Sequence, residues 1–393
     1  MRPVPPTPRI DLLTDDLSPG PWVFGRQVAP ASPEPEAGAL VEVVDRSGRF
    51  IGHGLFNPAS DIRVRFLSRG RKTDLQRPRE FLQRKLASAD HIRRKLLALP
   101  EVTNAYRIVH AEGDDLSGLM VDRLGDTIVC EHHALGFWRL RADVEWALGQ
   151  LYPGLQVVHK VPRQARKLEA FEPEEEPRDV GEVVITEHGL DFIVEPGRGH
   201  KTGWFCDQRD NRQLVARLAR GHDVLDLCCN GGGFALHAKR AGAGRVLAVD
   251  LDEDVLALAR KSAQRGGLDV TFEHADAFDV MRRIRAGKRH PGVVVLDPHK
   301  LITGKQRMEE GQRKYLDMNA LALGCTAPGG LLATFSCSGV LDLAGFLGIV
   351  FQAARRAERT IRILSTLGAA PDHPQRPDFS RSRYLKGALL AVD

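Results

Sequence analysis

The sequence has no long hydrophobic run. Nowhere among its 393 residues does an uncharged apolar stretch approach the ~18 residues that a membrane-spanning helix needs. Residues 1–16 also lack the apolar segment of a secretory signal peptide. We therefore expect a cytoplasmic protein without membrane association.

Cysteine is scarce as well, with six residues in the whole chain. A disulfide scaffold is typically denser in cysteine. The adjacent pair Cys228 and Cys229 suits neither a bridge nor a zinc knuckle. We predict reduced thiols and no metal site.

The charge is modest overall, at +5, but unevenly distributed. Residues 63–97 contain twelve Lys or Arg, among them Arg63 and Arg65, and only three acids. Such a concentration of positive charge can neutralise several phosphates, so nucleic acid is the first partner to consider. A solvated helix face would show the same composition, and charge alone does not separate the two interpretations.

The sequence of the first half of the chain predicts several small structural regions. Residues 1–38 are rich in proline and are expected to form a mostly irregular lead-in. Short alternating runs follow and indicate a small β-barrel, which together with a basic helix near 79–99 makes up residues 39–100. Residues 101–185 read as a central α+β domain.

The second half, residues 186–393, alternates strand and helix. Its strands are almost continuously apolar, which is typical of strands buried on both faces of a parallel sheet. They include Val224-Leu225-Asp226-Leu227, Val246 to Asp250, Val293 to Asp297 and Leu331 to Phe335. An open, mostly parallel α/β sheet is therefore predicted.

A cofactor site is predicted where the first of these strands ends. Asp226 is followed by a loop that contains Asn230 and the three glycines beginning at Gly231, and such a loop lets a ligand approach the backbone. Asp250 ends the next strand, where its carboxylate can accept hydrogen bonds from ribose hydroxyls. Asp276, after the third strand, can bind an adenine amino group or can cap a helix.

The glycine spacing favours one cofactor class. A dinucleotide site normally uses Gly-x-Gly-x-x-Gly to hold a pyrophosphate, whereas the glycines here are consecutive. S-adenosylmethionine, which has no phosphates, fits better. A nicotinamide dehydrogenase is the least favoured alternative.

The chemistry is predicted to come from the fourth and fifth strands. Asp297 ends one and Cys337 follows the other, so both can face one pocket. Carbon 5 of cytosine becomes nucleophilic only after a thiolate adds to carbon 6, and a carboxyl group near N3 would stabilise the resulting charge. Cys337 and Asp297 supply these two groups.

At this point the motifs together resemble a known family, the bacterial PUA-domain-bearing methyltransferases that make 5-methylcytosine in large-subunit ribosomal RNA. The resemblance covers nearly the whole chain. Its motifs are Pro21 to Phe24, Gly54 to Ser60, Gly113 to Arg123, Gly199 to Asp210, Thr334 to Ser338, Asp372 to Pro374 and Tyr384 to Gly387.

The resemblance implies an N-terminal PUA-like RNA-binding barrel, a small central domain and a C-terminal Rossmann-like methyltransferase domain. It further implies that Gln208 and Arg209 help to enclose S-adenosylmethionine and that Cys337 is the nucleophile. Ribosomal RNA is then the expected partner, and a homodimer is a possible assembly. The candidates for RNA contact are Arg63, Arg65, Lys201 and Lys300.

Two alternatives stay open. The family usually has Asp-Pro-Pro-Lys where this chain has His299 after Pro298. An RNA-binding protein that has lost catalysis through this change is one alternative, and a methyltransferase for another base position, which needs no thiolate, is the second.

Overall fold

The computed structural model describes residues 7–15, 20–70, 77–197, 202–302 and 304–393. The chain divides into two compact units. Unit 1 comprises Met1–Val183, Glu195–Trp204 and Asp372–Ser382, and unit 2 comprises Val184–Val194, Phe205–Pro371 and Arg383–Asp393.

Unit 1 begins with a mixed sheet of short strands. In the described residues these strands are ordered β1-β3-β4-β5-β2. They are β1 (Arg9–Asp11), β2 (Trp22–Phe24), β3 (Leu40–Val44), β4 (Phe50–Phe56) and β5 (Ile62–Ser68). The sheet closes over a core that includes Ile10, Val23, Val41 and Phe56.

The lead-in that was predicted to be mostly irregular contains two short strands of this sheet. Two of these strands, β1 and β2, lie within residues 1–38, where β1 pairs in parallel with β3 and β2 pairs antiparallel with β5. Each has only three residues, so the alternation that reveals a strand is too short to detect. Long-range pairing and the burial of Ile10 and Val23 form them.

A helix and a second sheet complete unit 1. Helix α1 (Pro78–His91) ends earlier than predicted. It continues as a short π-helix over Ile92–Leu96, and Ala98 then adopts a left-handed backbone conformation before Pro100. Among the described residues the second sheet has the order β6-β7-β8-β9. Its elements are β6 (Ala105–His110), β7 (Leu119–Leu124), β8 (Thr127–His132), α2 (Leu135–Arg139), α3 (Arg141–Leu151), β9 (Gln156–Lys160) and α4 (Arg163–Glu169).

Unit 2 contains the predicted open sheet, with the order β14-β13-β12-β15-β16-β18-β17 in the described chain. Strands β12 to β16 are parallel, and β18 runs antiparallel between β16 and β17. The sheet strands are β12 (Val224–Leu227), β13 (Val246–Asp250), β14 (Thr271–His274), β15 (Val293–Leu296), β16 (Gly330–Ser336), β17 (Ile361–Gly368) and β18 (Lys386–Val392). A hairpin of β10 (Val183–Glu187) and β11 (Leu190–Val194) precedes them.

Helices cover the sheet of unit 2. They are α5 (Arg209–Leu218), α6 (Gly233–Arg240), α7 (Glu253–Arg265), α8 (Ala277–Ala286), α9 (Met308–Cys325) and α10 (Leu343–Arg356). Apolar side chains of β12, β15 and β16 pack against α8, α9 and α10 in one core. A second core joins α6 to the same strands.

Two segments of the predicted 186–393 domain belong to unit 1. Thr202 donates a hydrogen bond to Asp122 over 2.6 Å, and Asp372 accepts one from the Arg107 backbone N–H over 3.0 Å. Nothing in the local sequence marks these exchanges, because they depend on buried polar partners far away in the chain. Within the part of the chain that the structure describes, no helix is long and apolar enough to cross a membrane.

Candidate active site

The carboxyl ends of four parallel strands lie side by side in unit 2. The order β13-β12-β15-β16 places Asp250, the loop after Leu227, Asp297 and Cys337 on consecutive strand ends. Leu227 pairs with Val249 on one side and with Leu296 on the other, and Leu296 in turn pairs with Thr334. Ligands of open α/β sheets bind at this edge, where the strand order reverses.

The glycine loop between β12 and α6 has an unusual backbone. Cys228 and Asn230 both have left-handed φ angles, of 59° and 48°, and Gly232 has a φ of 73°. Such conformations are costly for residues other than glycine and concentrate at ligand sites. At Gly232 a side chain would add a second penalty, because its Cβ would lie 3.0 Å from the Phe272 ring.

Asp250 ties the loop to the second strand. Its Oδ2 accepts a hydrogen bond from the backbone N–H of Asn230 over 2.8 Å, and its Oδ1 accepts one from Asp252 N–H over 3.0 Å. The side chain is only partly buried, and each carboxylate oxygen can accept more than one bond. Asp250 therefore orders the loop while remaining able to accept from a ligand hydroxyl.

Asp226 lies beneath the loop and is fully buried. Its Oδ2 accepts from the Ala235 backbone N–H over 3.0 Å, whereas its Oδ1 has no hydrogen-bond partner among the described residues. The pKa of Asp226 is raised to about 8, chiefly by burial; the Ala235 hydrogen bond opposes the rise, and the negative charges of Asp297 and Asp250 contribute to it. A cation bound at this edge would relieve that electrostatic cost.

Asp276 begins helix α8. Its carboxylate accepts from the Phe278 backbone N–H over 2.7 Å, which makes it the N-cap of the helix. The residue is partly buried at the end of β14. The two functions considered from sequence are compatible, because the second carboxylate oxygen is left for a ligand.

A chain of amides holds Asp297. Gln208 donates to Asp297 Oδ2 over 2.9 Å, and Asn211 donates to Gln208 Oε1 over 2.6 Å. Asn211 also donates to the carbonyl of Gly368 over 2.9 Å. Gln208 and Asn211 are both buried, so the amide orientation is fixed and the Gln208 N–H points at the carboxylate. The neighbouring Arg209 is also buried and donates to Asp210 over 3.2 Å.

Cys337 follows β16 and lies in a turn between two buried residues. Ser336 and Ser338 are fully buried, whereas Cys337 between them is partly exposed. The other cysteines differ in setting: Cys325 is buried, donates to the Met281 carbonyl, and burial raises its pKa to about 11. Burial also raises the pKa of Cys228 and of Cys229, so these thiols remain protonated at neutral pH. None of the six cysteines, all of which lie in the described residues, forms a disulfide.

The candidates for RNA contact have different settings. Lys300 and His299 are exposed beyond the end of β15, and Arg63 is half-buried on β5. Lys201 lies outside the described residues. Arg65 is 8% exposed and forms a 3.0 Å ion pair with Glu169, so its guanidinium is committed to the interior and does not fit the predicted RNA contact.

Much of the basic segment 63–97 is likewise structural. Arg93 is fully buried and pairs with both oxygens of Asp114, over 2.6 and 2.8 Å. Arg79 and Lys85 pair with Asp143 and Asp115. Part of the predicted concentration of positive charge is therefore neutralised by acids that lie elsewhere in the chain.

S-adenosylmethionine fits the carboxyl edge of unit 2. The group carries a positive sulfonium and a positive ammonium, and the edge offers a buried carboxylate with an unpartnered oxygen at Asp226. Asp250 and Asp276 stand at the next two strand ends, where a nucleoside would lie. The strained glycine loop brings the backbone to the same place.

Two domain families match the sequence. A PUA-like domain matches residues 19–69, and a methyltransferase domain matches residues 224–291. The fold is also similar to a solved structure, assigned as a methyltransferase and complexed with S-adenosylhomocysteine, with a TM-score of 0.82, 18% identity, and 98% of this chain and 100% of that chain covered. A Streptococcus mutans protein, assigned as a SAM-dependent methyltransferase, gives a TM-score of 0.79 at 18% identity, with the same coverage.

The fold and the site define an S-adenosylmethionine-dependent methyltransferase with a Rossmann-like domain and an N-terminal PUA-like domain. This confirms the predicted fold class and the predicted cofactor. Ribosomal RNA large subunit methyltransferase I of Tolumonas auensis is 36% identical over 380 residues, covering 94% of each chain. The enzyme of the same name from Pseudoalteromonas atlantica is 33% identical over 378 residues, covering 95% of each chain. The chain belongs to this family of ribosomal RNA methyltransferases.

Sequence reasoning missed the polar groups that support the site. The roles of Asn211, Tyr315 and Lys386 are set by partners between 21 and 157 residues away along the chain. The motif Tyr384 to Gly387 was the one signal, because a charged lysine stands there at the start of an apolar strand. A lysine in that position needs a specific acceptor.

Proposed function

We propose that this protein forms 5-methylcytosine in large-subunit ribosomal RNA through a covalent adduct with Cys337. The observation that carries the proposal is the placement of Asp297 and Cys337 at the ends of adjacent parallel strands. Asp297 follows β15, which pairs with the strand that leads into the glycine loop, and Cys337 follows β16 on the other side of β15. Cys337 and Cys228 are partly exposed, whereas Cys130, Cys206, Cys229 and Cys325 are buried, and desolvation raises the pKa of Cys228.

The proposed reaction begins at Cys337. Its thiolate forms a bond to carbon 6 of cytosine, and the electron pair of the 5,6 double bond moves toward carbon 5. When bound, S-adenosylmethionine would supply an electrophilic methyl group to carbon 5 and would be released as S-adenosylhomocysteine. Loss of the carbon 5 proton to solvent then restores the double bond and expels Cys337 as thiolate.

Asp297 stabilises the charge that attack creates on the ring. A carboxyl group that bonds to N3 and the exocyclic amine favours the adduct over free cytosine. Gln208 donates to one oxygen of Asp297 and so fixes the direction of the other. We expect Asp297→Asn to lower the methylation rate by about 100-fold, because an amide cannot transfer a proton to N3 as negative charge develops on the ring.

The remaining site residues are assigned to ligands. Asp250 binds the ribose and Asp276 the adenine of the cofactor. Near its methionine part lie Asp226, Asn230 and Gly231, and Gln208 and Arg209 close over it. Lys300, exposed at the end of β15, contacts RNA phosphate, as do Lys201 and Arg63. Arg65 is left out because of its burial.

The decisive experiment uses ribosomal RNA isolated from a strain that lacks the gene. Wild-type protein and S-adenosylmethionine should produce 5-methylcytosine, mapped by bisulfite sequencing. Cys337→Ala should lower the rate by about 10³-fold or more. Cys325→Ala is the matched control, since that thiol is buried and bonded to Met281.

A second readout traps the adduct. In RNA that contains 5-fluorocytidine the carbon 5 substituent cannot leave as a proton, so the protein should remain covalently attached in denaturant. Attachment should be absent in Cys337→Ala. Methylation that survives Cys337→Ala would favour another base position, and a wild type that binds RNA and S-adenosylhomocysteine without methylating would favour the RNA-binding alternative raised by His299.

A further inference from the structure

The turn that carries Cys337 is fixed by a buried polar network. Tyr315 on α9 accepts a hydrogen bond from Ser336 over 2.9 Å, and its hydroxyl lies 3.0 Å from that of Ser338. Ser338 Oγ also accepts from the Ile302 backbone N–H over 3.1 Å. Because Ser336, Ser338 and Tyr315 are fully buried, the backbone on both sides of Cys337 is held in place.

Lys386 is the cation of this network. It begins β18 directly opposite Ser336 in the antiparallel register, and it is 4% exposed. Its Nζ donates to the carbonyls of Ser338, over 2.6 Å, and Leu341, over 2.7 Å. Within the described chain its hydrogen-bond acceptors are therefore carbonyl oxygens, which do not cancel a full positive charge.

Several charged groups surround this ammonium from different elements. Burial lowers the pKa of Lys386 to about 8, the negative charges of Cys337 and of Asp342 at the start of α10 oppose this, and Lys300 after β15 adds to it. Across the turn, burial raises the pKa of the Tyr315 phenol and the charge of Cys337 raises it further. Asp297 stands on the adjacent strand end. Cys337 lies between Ser336, which is opposite Lys386 in the sheet, and Ser338, whose carbonyl accepts from Lys386, so a thiolate there would be an anion next to this ammonium.

We propose that Lys386 is the counter-charge of the Cys337 thiolate: it clamps the turn through Ser338 and Leu341 and keeps the sulfur ionised near neutral pH. This proposal rests on the proposed nucleophile and gives Lys386 a positioning and electrostatic role in the reaction. A neighbouring ammonium lowers the pKa of a thiol because it stabilises the charged form. The same pairing keeps Lys386 charged despite its burial.

The test measures thiolate formation and does not require methyl transfer. Alkylation of Cys337 by iodoacetamide is followed by peptide mass spectrometry from pH 6 to pH 10. Lys386→Met keeps the apolar length of the side chain and removes the charge. We expect the midpoint of the alkylation profile to rise by at least about one pH unit and the rate at pH 7 to fall about tenfold. An unchanged midpoint would overturn the proposal.

Two further variants separate charge from structure. Ser338→Ala disturbs the turn without removing a charge, so its midpoint should stay close to that of the wild type. Lys314→Met removes an exposed lysine that pairs with Glu310 on α9 and should also leave the midpoint unchanged. A midpoint that rises equally in Ser338→Ala and Lys386→Met would show that Lys386 has only a structural role.

A measurement on the unmodified residue covers the case in which Lys386→Met does not fold. The thiolate absorbance near 240 nm is titrated in wild type and in Cys337→Ala, and the difference reports Cys337 alone. A midpoint below the ordinary cysteine value of about 8.5 is expected, and a midpoint at or above it would refute the counter-charge. Methylation that survives Cys337→Ala would refute the proposed function but would leave this titration interpretable.

Discussion

Two buried arginines of unit 1 are paired more completely than the buried charges at the carboxyl edge of the sheet in unit 2. In unit 1, Arg93 and Arg107 each form a two-bond ion pair with a buried carboxylate, at Asp114 and Asp122. In unit 2, at the carboxyl edge of the sheet, Asp226 has an unpartnered oxygen and Lys386 has only carbonyl acceptors among the described residues. A fully paired buried charge stabilises one conformation, whereas an incompletely paired one is available to a ligand or a reaction.

The largest effect is expected where the pairing is complete. Asp114→Asn removes the charge that faces Arg93 and should lower the free energy of unfolding of unit 1 by about 3 to 5 kcal/mol, because a buried guanidinium is left without its counter-ion. All four tryptophans (Trp22, Trp138, Trp146 and Trp204) belong to unit 1, so tryptophan fluorescence in urea reports its unfolding.

The control for that measurement is an exposed pair on the same unit. Glu80→Gln breaks the contact of Glu80 with Arg77, whose side chains are 53% and 76% exposed, and should cost less than about 1 kcal/mol. Similar losses in the two variants would contradict the distinction between buried and exposed pairs.

At the incompletely paired Asp226, the substitution Asp226→Asn should stabilise the cofactor-free unit. The pKa of this carboxyl is raised to about 8, above an ordinary value near 4, so the stability it contributes is complete below pH 4 and is lost as the pH rises through 8. The uncharged amide should slow hydrogen exchange in peptides of β12 and α6 at pH 9. The slowing should correspond to an increase of about 1 to 3 kcal/mol in the free energy of local opening.

The same variant should bind S-adenosylhomocysteine more weakly by calorimetry, because a carboxylate available to the ligand has been removed. Faster exchange at pH 9 together with unchanged affinity would place Asp226 with the structural charges of unit 1.

An effect of similar size is expected at Asp250, whose carboxylate already accepts hydrogen bonds from the N–H groups of Asn230 and Asp252. Asp250→Ala should weaken the binding of S-adenosylhomocysteine by about 1 to 3 kcal/mol through lost ribose hydrogen bonds. Calorimetry of Asp269→Ala, which changes an acid away from the carboxyl edge, supplies the reference. Equal affinities in the two variants would refute the ribose assignment.

The last effect appears only as the pH falls and concerns a neutral histidine pair in unit 1. His132 and His159 lie 2.9 Å apart, and burial lowers the pKa of both rings. Their stability contribution is present above the ordinary histidine pKa of about 6.5 and is lost as the pH falls, by about 2 kcal/mol between pH 7 and pH 5.

His159→Gln should flatten this dependence in urea unfolding followed by tryptophan fluorescence. The exposed His91, changed to Gln, should leave the slope as it is in the wild type. A wild-type midpoint that does not change between pH 7 and pH 5 would show that the pair accommodates a proton.

The sequence predicted the local parts of the site well, because each depends on its own neighbours. Consecutive apolar residues indicated β12, β13, β15 and β16. The alternation of strand and helix predicted that these strands are parallel, so that their carboxyl ends lie at one edge of the sheet. The three-residue strands β1 and β2 were missed for the opposite reason, since pairing with β3 and β5 creates them.

The assignment of positive charge shows where local reasoning fails. Arg65 and Arg93 look like the rest of the basic segment, yet both are buried against carboxylates that come 104 and 21 residues later in the chain. Charge counting records a residue type, whereas function depends on whether the charge already has a partner.

What the sequence determined by itself is the α/β architecture of unit 2, the glycine loop and the identity of the acids at the strand ends, because periodicity and strand termini are local properties. Only the tertiary structure decided which charges are paired, how Gln208 and Asn211 hold Asp297, and that Lys386 lies beside the Cys337 turn. Those contacts join residues that are distant along the chain. The free-energy cost of burying an ammonium or a carboxylate depends on the partners that folding brings next to it.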